Sequence, residues 1–473
     1  MRRDEEESRE TTEQGLLEGR AVSRREFLKY AGVAGAVVTV GGGLSGFLAA
    51  CGGTTTATTA AGTGTTATTA GGTGTTVTTA GGTGSTLAAG KTKIVIGAAR
   101  PISGALAFFE ANAFGPIYKM WVDEVNAAGG INVGGTKLQV EMKVYDDQSD
   151  LDTSMRLLTK LMEQDKVDFV FSPTSTAFLF AAAGVANAHK YILMSADGGA
   201  TSLEPKMKDL PYYFQFLNYA DHNQVPVQGQ VLKEVGAKTV GIIYIDDLHG
   251  IEYSGVAAKR LPENGIQIAF SEAIPADIKD VSALLKKAET ANVDGLLIYA
   301  YPDQNFLAVG QMMQLKYNPK FLLLGPGGNY QFFPGNFGNQ VVQGVCADGA
   351  WNEKSSPAAK DFAERFIARN KIDNMDWWGA QCYWAELQFF QAAIEKAGTL
   401  DQTAIRDIMA TGHFPTMLGD TFMTNQILDV SCYLGQMGQW QNGIFEVIDP
   451  GAKRTAPPIY PKPAWPAAPT STT

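Results

Sequence analysis

From Lys93 to Leu324 short apolar runs alternate with segments of helical periodicity, joined by turns of a few residues. That alternation leaves few folds open, because strand–helix–strand succession with short connections marks a parallel sheet covered on both faces. The clearest unit spans residues 167–201. It opens on the apolar run Val167-Asp168-Phe169-Val170-Phe171 and passes through Ser172-Pro173-Thr174-Ser175-Thr176 into an Ala-rich helical segment, 177–189. A second apolar run, 191–194, then leads to Ser195-Ala196-Asp197-Gly198-Gly199-Ala200-Thr201. Both turns stand at the C-terminal end of a strand, the rim where open α/β sheets receive ligands. Hydroxyls that feed a helix N-terminus offer an anion free N–H groups and a positive partial charge. A Ser175 or Thr176 that merely caps the helix accounts for the same residues.

The unit has neighbours of its own kind. Strands are expected over 93–98 and 138–145, with helices over 112–127 and 153–164. In the first of these helices Phe114, Ile117, Tyr118, Trp121, Val122 and Val125 share a face, and Gly129-Gly130 stops it. After a strand-like run at 212–216 the alternation restarts, with strands over 239–244, 266–270, 295–299 and 321–324. Helices over 358–370 and 378–397, strand pieces over 433–440 and 445–448, and an extended Pro-rich tail complete the chain. Nearly four hundred residues follow Lys91, too many for one compact core and enough for two domains.

The N-terminal stretch is of another character. Ser23-Arg24-Arg25-Glu26-Phe27-Leu28-Lys29 precedes a Gly/Ala/Val-rich segment that ends in Leu48-Ala49-Ala50-Cys51. Twin arginines followed by Phe-Leu-Lys resemble the signal of the twin-arginine export route. Leu-Ala-Ala-Cys resembles a lipobox, whose cysteine becomes the acylated first residue. Residues 1–50 are therefore expected to be removed, with the twin-arginine translocase as export partner and a lipid anchor at Cys51. Thr55 to Gly84 is three near-copies of a ten-residue Thr/Ala/Gly unit. Such a stretch cannot build a core, and 51–90 reads as a tether with a coil dimension of roughly 30–35 Å.

A formal net charge of -10 argues against a nucleic-acid partner and a polybasic membrane patch. Four scattered histidines and no paired-cysteine motif argue against a metal site, and nothing calls for a cofactor. Cys346, Cys382 and Cys432 allow at most one intramolecular disulfide.

Pro101-Ile102-Ser103-Gly104, Val125-Asn126-Ala127-Ala128-Gly129-Gly130-Ile131, Asp146-Asp147-Gln148-Ser149-Asp150 and Gly325-Pro326-Gly327-Gly328 come in that order. Tyr433-Leu434-Gly435-Gln436 and Gln439-Trp440-Gln441-Asn442-Gly443 follow. In order and spacing these motifs resemble the extracytoplasmic solute-binding proteins of branched-chain amino-acid ABC importers. The resemblance covers Lys91 to about Pro450. It implies an α/β fold of two doubly wound parallel-sheet lobes joined by a three-segment hinge, the type I periplasmic-binding fold. Lobe one would hold 91–218 and 344–431, lobe two 219–343 and 432–450, with 451–473 a tail. A small-molecule solute would be held between the lobes and passed to ABC permease subunits.

The resemblance also implies site residues. Thr176, with Ser175 beside it, and the pair Ala200-Thr201 match positions that hold a ligand's carboxylate and ammonium. Tyr301 matches a contact position, and Phe109 stands where a tyrosine is common. Two positions depart from the amino-acid binders. Gly327 stands where they place an acid that pairs with the ammonium, and His249 where they have a tyrosine. A buried ammonium without its carboxylate costs several kcal/mol, which points away from a free α-amino acid unless Asp246 or Asp247 substitutes. Either of these also suits a helix cap. For Trp351, near the expected cleft, core packing is the favoured role.

Two other functions compete with transport. A ligand-sensing module on the same fold would report to a membrane partner instead of a permease. A hydrolase lacks support, since the chain has no Gly-x-Ser-x-Gly elbow and no His-Glu-x-x-His.

Overall fold

In a computed structural model the chain is described over residues 90–466, except 197, 200, 218–219, 350, 372–374 and 433–435. The expected signal segment, the Thr/Ala/Gly repeats, Arg24, Arg25, Cys51 and Ala200 all lie outside the described residues.

The first sheet starts with β1 (Lys93–Arg100), followed by a short π-helical turn and helix α1 (Gly115–Ala127). Helix α1 ends where Gly129 and Gly130 take φ of +96° and +99°. A Cβ at Gly130 would stand 2.2 Å from the Leu138 carbonyl oxygen, so only glycine allows the chain to turn there. Next come β2 (Ile131–Val133), β3 (Thr136–Asp146), α2 (Leu151–Glu163), β4 (Phe169–Phe171), α3 (Thr176–Ala188) and β5 (Leu193–Ser195). Asp150 caps α2 by accepting from the Thr153 N–H. A 3₁₀ segment, Thr201–Asp209, leads to β6 (Tyr213–Gln215).

The alternation then begins again: α4 (Val225–Glu234), β7 (Thr239–Ile245), α5 (Leu248–Arg260), β8 (Gln267–Ile274), α6 (Ser282–Thr290), β9 (Gly295–Tyr299), α7 (Pro302–Leu315), β10 (Phe321–Leu324) and β11 (Cys346–Asp348). Helices α8 (Pro357–Asn370), α9 (Ala380–Ala397) and α10 (Gln402–Thr411) follow. The short strands β12 (His413–Thr416), β13 (Gly419–Thr424) and β14 (Ile427–Leu428) come next, then the pair β15 (Met437–Gln441) and β16 (Ile444–Val447).

Strand order separates two groups. One has β2-β3-β1-β4, beside which lies β12-β13-β14-β6-β5; the other is the seven-stranded sheet β16-β15-β11-β10-β9-β7-β8. Pairings β1·β3, β1·β4, β5·β6, β7·β8, β7·β9, β9·β10 and β10·β11 are all parallel. The chain thus leaves the first group after β6, returns to it with β12–β14, and ends on the second. β11 pairs with β10 and, antiparallel, with β15. Sheet membership therefore carries the second group through Asp348, past position 344 where the sequence suggested the return.

Both groups are apolar inside. Ile94, Ile96, Phe169 and Phe214 are buried in the first, and Ile242, Leu297, Leu322 and Leu323 in the second. Trp351 is buried against Phe362 and Trp377, and its indole N–H donates to the Asp376 carbonyl, so it is a core residue. Cys346, Cys382 and Cys432 are buried free thiols. No helix among the described residues is long and apolar enough to cross a membrane.

Candidate functional site

In a parallel sheet the turns after the strands gather along one edge, where ligand sites form. Here the turns of both groups meet. One cavity is lined by Phe109 after β1, Thr174, Ser175 and Thr176 after β4, and Gly198 and Gly199 after β5. Opposite stand His249 after β7, Tyr301 after β9 and Pro326 after β10, with Tyr253, Tyr330, Trp378 and Tyr383 closing the sides. The space open to the centre of a water molecule is about 50 Å³. A larger depression of about 210 Å³ surrounds the Arg100–Glu110 ion pair but is lined only by residues of β1, α1, β3 and the π-helical turn between β1 and α1.

The first wall is held by its own loops. Ser103 donates to Asp146 at 2.7 Å and Ser149 donates to the Ser103 carbonyl at 2.8 Å, which fixes the loop leading to Phe109. Ser175 has φ of +89° and makes no side-chain capping bond to α3. Capping is thus not its role, and the first N–H groups of this 13-residue helix have no intrahelical acceptor. Gly198 lies against this turn: a Cβ there would be 2.9 Å from the Ser175 carbonyl carbon and 3.0 Å from the Thr176 nitrogen. The Ser195 hydroxyl and the Gln215 amide both donate to the Gly198 carbonyl, at 3.0 and 2.9 Å, holding the second turn in place.

The second wall is made of rings. His249 stacks on Tyr301 at 5.2 Å and packs on Tyr253 at 4.6 Å; Phe109 meets Tyr301 edge-on at 5.8 Å. Asn305 donates to the Ala300 and Pro326 carbonyls, both at 2.9 Å, tying the two turns that carry Tyr301 and Pro326. Asp247 caps α5 through the Gly250 N–H and also bonds the Tyr301 hydroxyl; burial pushes its carboxyl up to about 6. Burial lowers His249 to about 4, so its ring is neutral at pH 7.

Of the residues expected from the sequence, Phe109, Ser175, Thr176, His249 and Tyr301 come together around this cavity. Thr201 and Gly327 do not line it. Thr201 opens the 3₁₀ segment, where its N–H donates to Glu252 of α5 at 3.0 Å, and the second turn presents Gly198 and Gly199 instead. Gly327 has φ of +103°, and a Cβ there would be 2.9 Å from Pro302. The turn excludes any side chain at that point, an acid included. Sequence reasoning missed Thr174, Tyr253 and Trp378. Tyr253 stands four residues after His249, on the same face of one helix, which is a usable signal. Trp378 has none: Asp376, two residues before it, accepts from the N–H groups of Trp378 and Gly379, at 2.9 and 3.0 Å, and is itself held by the Asn329 amide from a distant stretch of chain.

A family model of periplasmic binding proteins matches residues 93–441. The chain belongs to that family. A Pseudomonas aeruginosa protein named leucine-, isoleucine-, valine-, threonine-, and alanine-binding protein is 24% identical over 344 residues, 71% of this chain and 86% of its own. Among solved structures, a branched-chain amino acid transporter substrate-binding protein from Streptococcus pneumoniae, in complex with isoleucine, is 22% identical with a TM-score of 0.64. It covers 76% of this chain and 100% of its own. An ABC-transporter solute-binding protein from Rhodopseudomonas palustris, in complex with 3,4-dihydroxybenzoic acid, is 18% identical with a TM-score of 0.63, covering 76% and 96%. The fold is that of type I periplasmic binding proteins. The protein is a solute-binding receptor of the leucine/isoleucine/valine-binding type, a family that works outside the cytoplasm.

Proposed function

We propose that this protein is a lipid-anchored extracytoplasmic receptor of an ABC importer. It captures a small carboxylate- or amide-bearing solute between two lobes that close about a hinge, and delivers it to the permease. The observation that carries this reading is the cavity walled on one side by Phe109, Ser175 and Thr176 and on the other by His249 and Tyr301. Strand-end turns from two sheets facing one small space are what a two-lobed capture site requires. The helix N-terminus at Thr176 suits a carboxylate, and the ligands of the two solved relatives, isoleucine and 3,4-dihydroxybenzoic acid, both carry one.

A thermal-shift screen of the purified protein against amino acids, aromatic acids, amides, urea and short peptides tests the receptor role. A ligand at a hundred times its dissociation constant adds about 2.7 kcal/mol of stability. A screen without a single stabilising solute would remove the reading. The export and anchor assignments, Arg24, Arg25 and Cys51, are tested in cells. Replacing both arginines by lysine should abolish export, and Cys51→Ser should release the protein from the membrane fraction.

A further inference from the structure

We propose that the solute is a single-ring aromatic carboxylic acid whose far end presents a hydroxyl or amide to His249, and that it carries no ammonium group. This rests on the receptor reading above.

Two buried polar atoms border the cavity and have no hydrogen-bond partner: the Thr174 hydroxyl and Nε2 of His249. Their residues are only 3% and 7% exposed. Buried polar atoms left without partners cost about 1–3 kcal/mol each, so a bound molecule that pairs with both is favoured over one that pairs with neither. The atoms belong to opposite walls, Thr174 to the turn before α3 and His249 to α5. The ligand must therefore be polar at two ends. At the Thr174 end the start of α3 favours a negative group. At the other end the imidazole is neutral and supplies one hydrogen bond without a charge.

Between these ends the walls are rings: Phe109, Tyr253, Tyr301, Trp378 and Tyr383. A flat body fits such a slot by stacking and edge contacts. Size narrows the choice further. About 50 Å³ of room for water centres corresponds to roughly three to five waters, or on the order of 100–150 Å³ of molecule. That is one substituted ring.

The described lining residues include no Asp or Glu to pair with an ammonium. Asp247 is engaged by Gly250 and Tyr301, and Glu252 by Thr201 and Ser202. The backbone at Gly327 admits no acid either.

Calorimetry with the purified protein decides. The probes are benzoate, its ortho, meta and para hydroxy and carboxamide derivatives, L-phenylalanine and L-leucine. At least one hydroxy- or carboxamidobenzoate should bind ten-fold or more tighter than benzoate, and the two amino acids should give no heat at millimolar concentration. His249→Phe should erase the preference over benzoate, and His249→Gln, which keeps a hydrogen-bonding group, should restore part of it. Should the Phe variant fail to fold, the wild-type ranking alone suffices. Silence from every benzoate, or tighter binding of either amino acid, overturns the proposal. If a broader solute screen then finds another ligand, the receptor reading stands while this inference falls; if no solute binds, both fall.

Discussion

The two walls of the cavity are built by different means. The wall carrying Thr174, Ser175 and Thr176 works through backbone and hydroxyls: a helix start, a residue at positive φ, and Gly198 pressed close. The wall carrying His249, Tyr253 and Tyr301 works through side-chain rings stacked on one another. A backbone anion site has little to distinguish one carboxylate from another, whereas ring identities decide which body fits. On the proposed receptor reading, one side would supply affinity for a polar head and the other would select the solute.

The comparison breaks most easily at Gly198. A side chain there meets Ser175 and Thr176 at under or about 3 Å, so the two turns of the first wall must separate. Gly198→Val should abolish binding of the best solute from a thermal-shift screen while the far-ultraviolet circular dichroism stays that of the parent. Retained affinity would show that the close approach of these turns is irrelevant to capture.

Next in size is the effect at Gly327. Introducing aspartate sets a side chain at positive φ against Pro302, with strain of about 1–3 kcal/mol. Gly327→Asp should lower the melting temperature and should not create amino-acid binding, as measured by differential scanning calorimetry and by titration with leucine. A stable variant that binds leucine would return selection to this turn.

A third pair separates residues of the first wall that looked alike in the sequence. Thr176 lines the cavity and Thr201 does not. Thr176→Ala should weaken binding by about 1–3 kcal/mol, the cost of a charged group short of one donor. Thr201→Ala should leave the affinity within error. Equal losses, read by calorimetry, would place Thr201 in the site after all.

That contrast also marks how far the sequence could be read. Strand–helix alternation placed most elements within a few residues, because buried parallel strands and one-faced helices carry strong periodicity. The hairpin β12–β13 and helix α10 were not anticipated: ten-residue helices and four-residue strands leave little pattern. Around the cavity, residues on the turns next to strong strands were placed together: Phe109, Ser175, Thr176, His249 and Tyr301 all line it. Thr201 was misplaced because the path of a glycine-rich turn depends on what holds it, here the Gln215 amide and the Glu252 carboxylate. Trp378 was invisible because the turn that carries it is held at Asp376 by Asn329, a contact between distant parts of the chain.

The smallest expected effect concerns the seam between the walls. Glu252 of α5 accepts from the N–H groups of Thr201 and Ser202 at 3.0 and 2.9 Å and from the Ser202 hydroxyl at 2.5 Å, so one carboxylate of the second group holds a segment of the first. Burial pushes this carboxyl up to about 7, and the neighbouring Asp247 charge adds to the rise. If opening returns it to water, its value falls toward the ordinary ~4.3. The closed form then holds the proton more tightly, closing takes a proton up between those values, and rising pH through 7 disfavours closure. His249 acts in the opposite sense, since burial lowers it to about 4, but an exposed imidazole near 6.5 is largely neutral above pH 7. From pH 7 to 8.5 the carboxylate effect, about twofold alone, outweighs an opposing His249 effect of about 1.3-fold, and affinity should fall about 1.5-fold across that span. The His222–Glu204 pair crosses the same seam, so the control is the change on Glu252→Gln within one titration series. The Gln variant should show a flatter profile; a profile as steep as the parent's would mean that Glu252 does not couple the two walls.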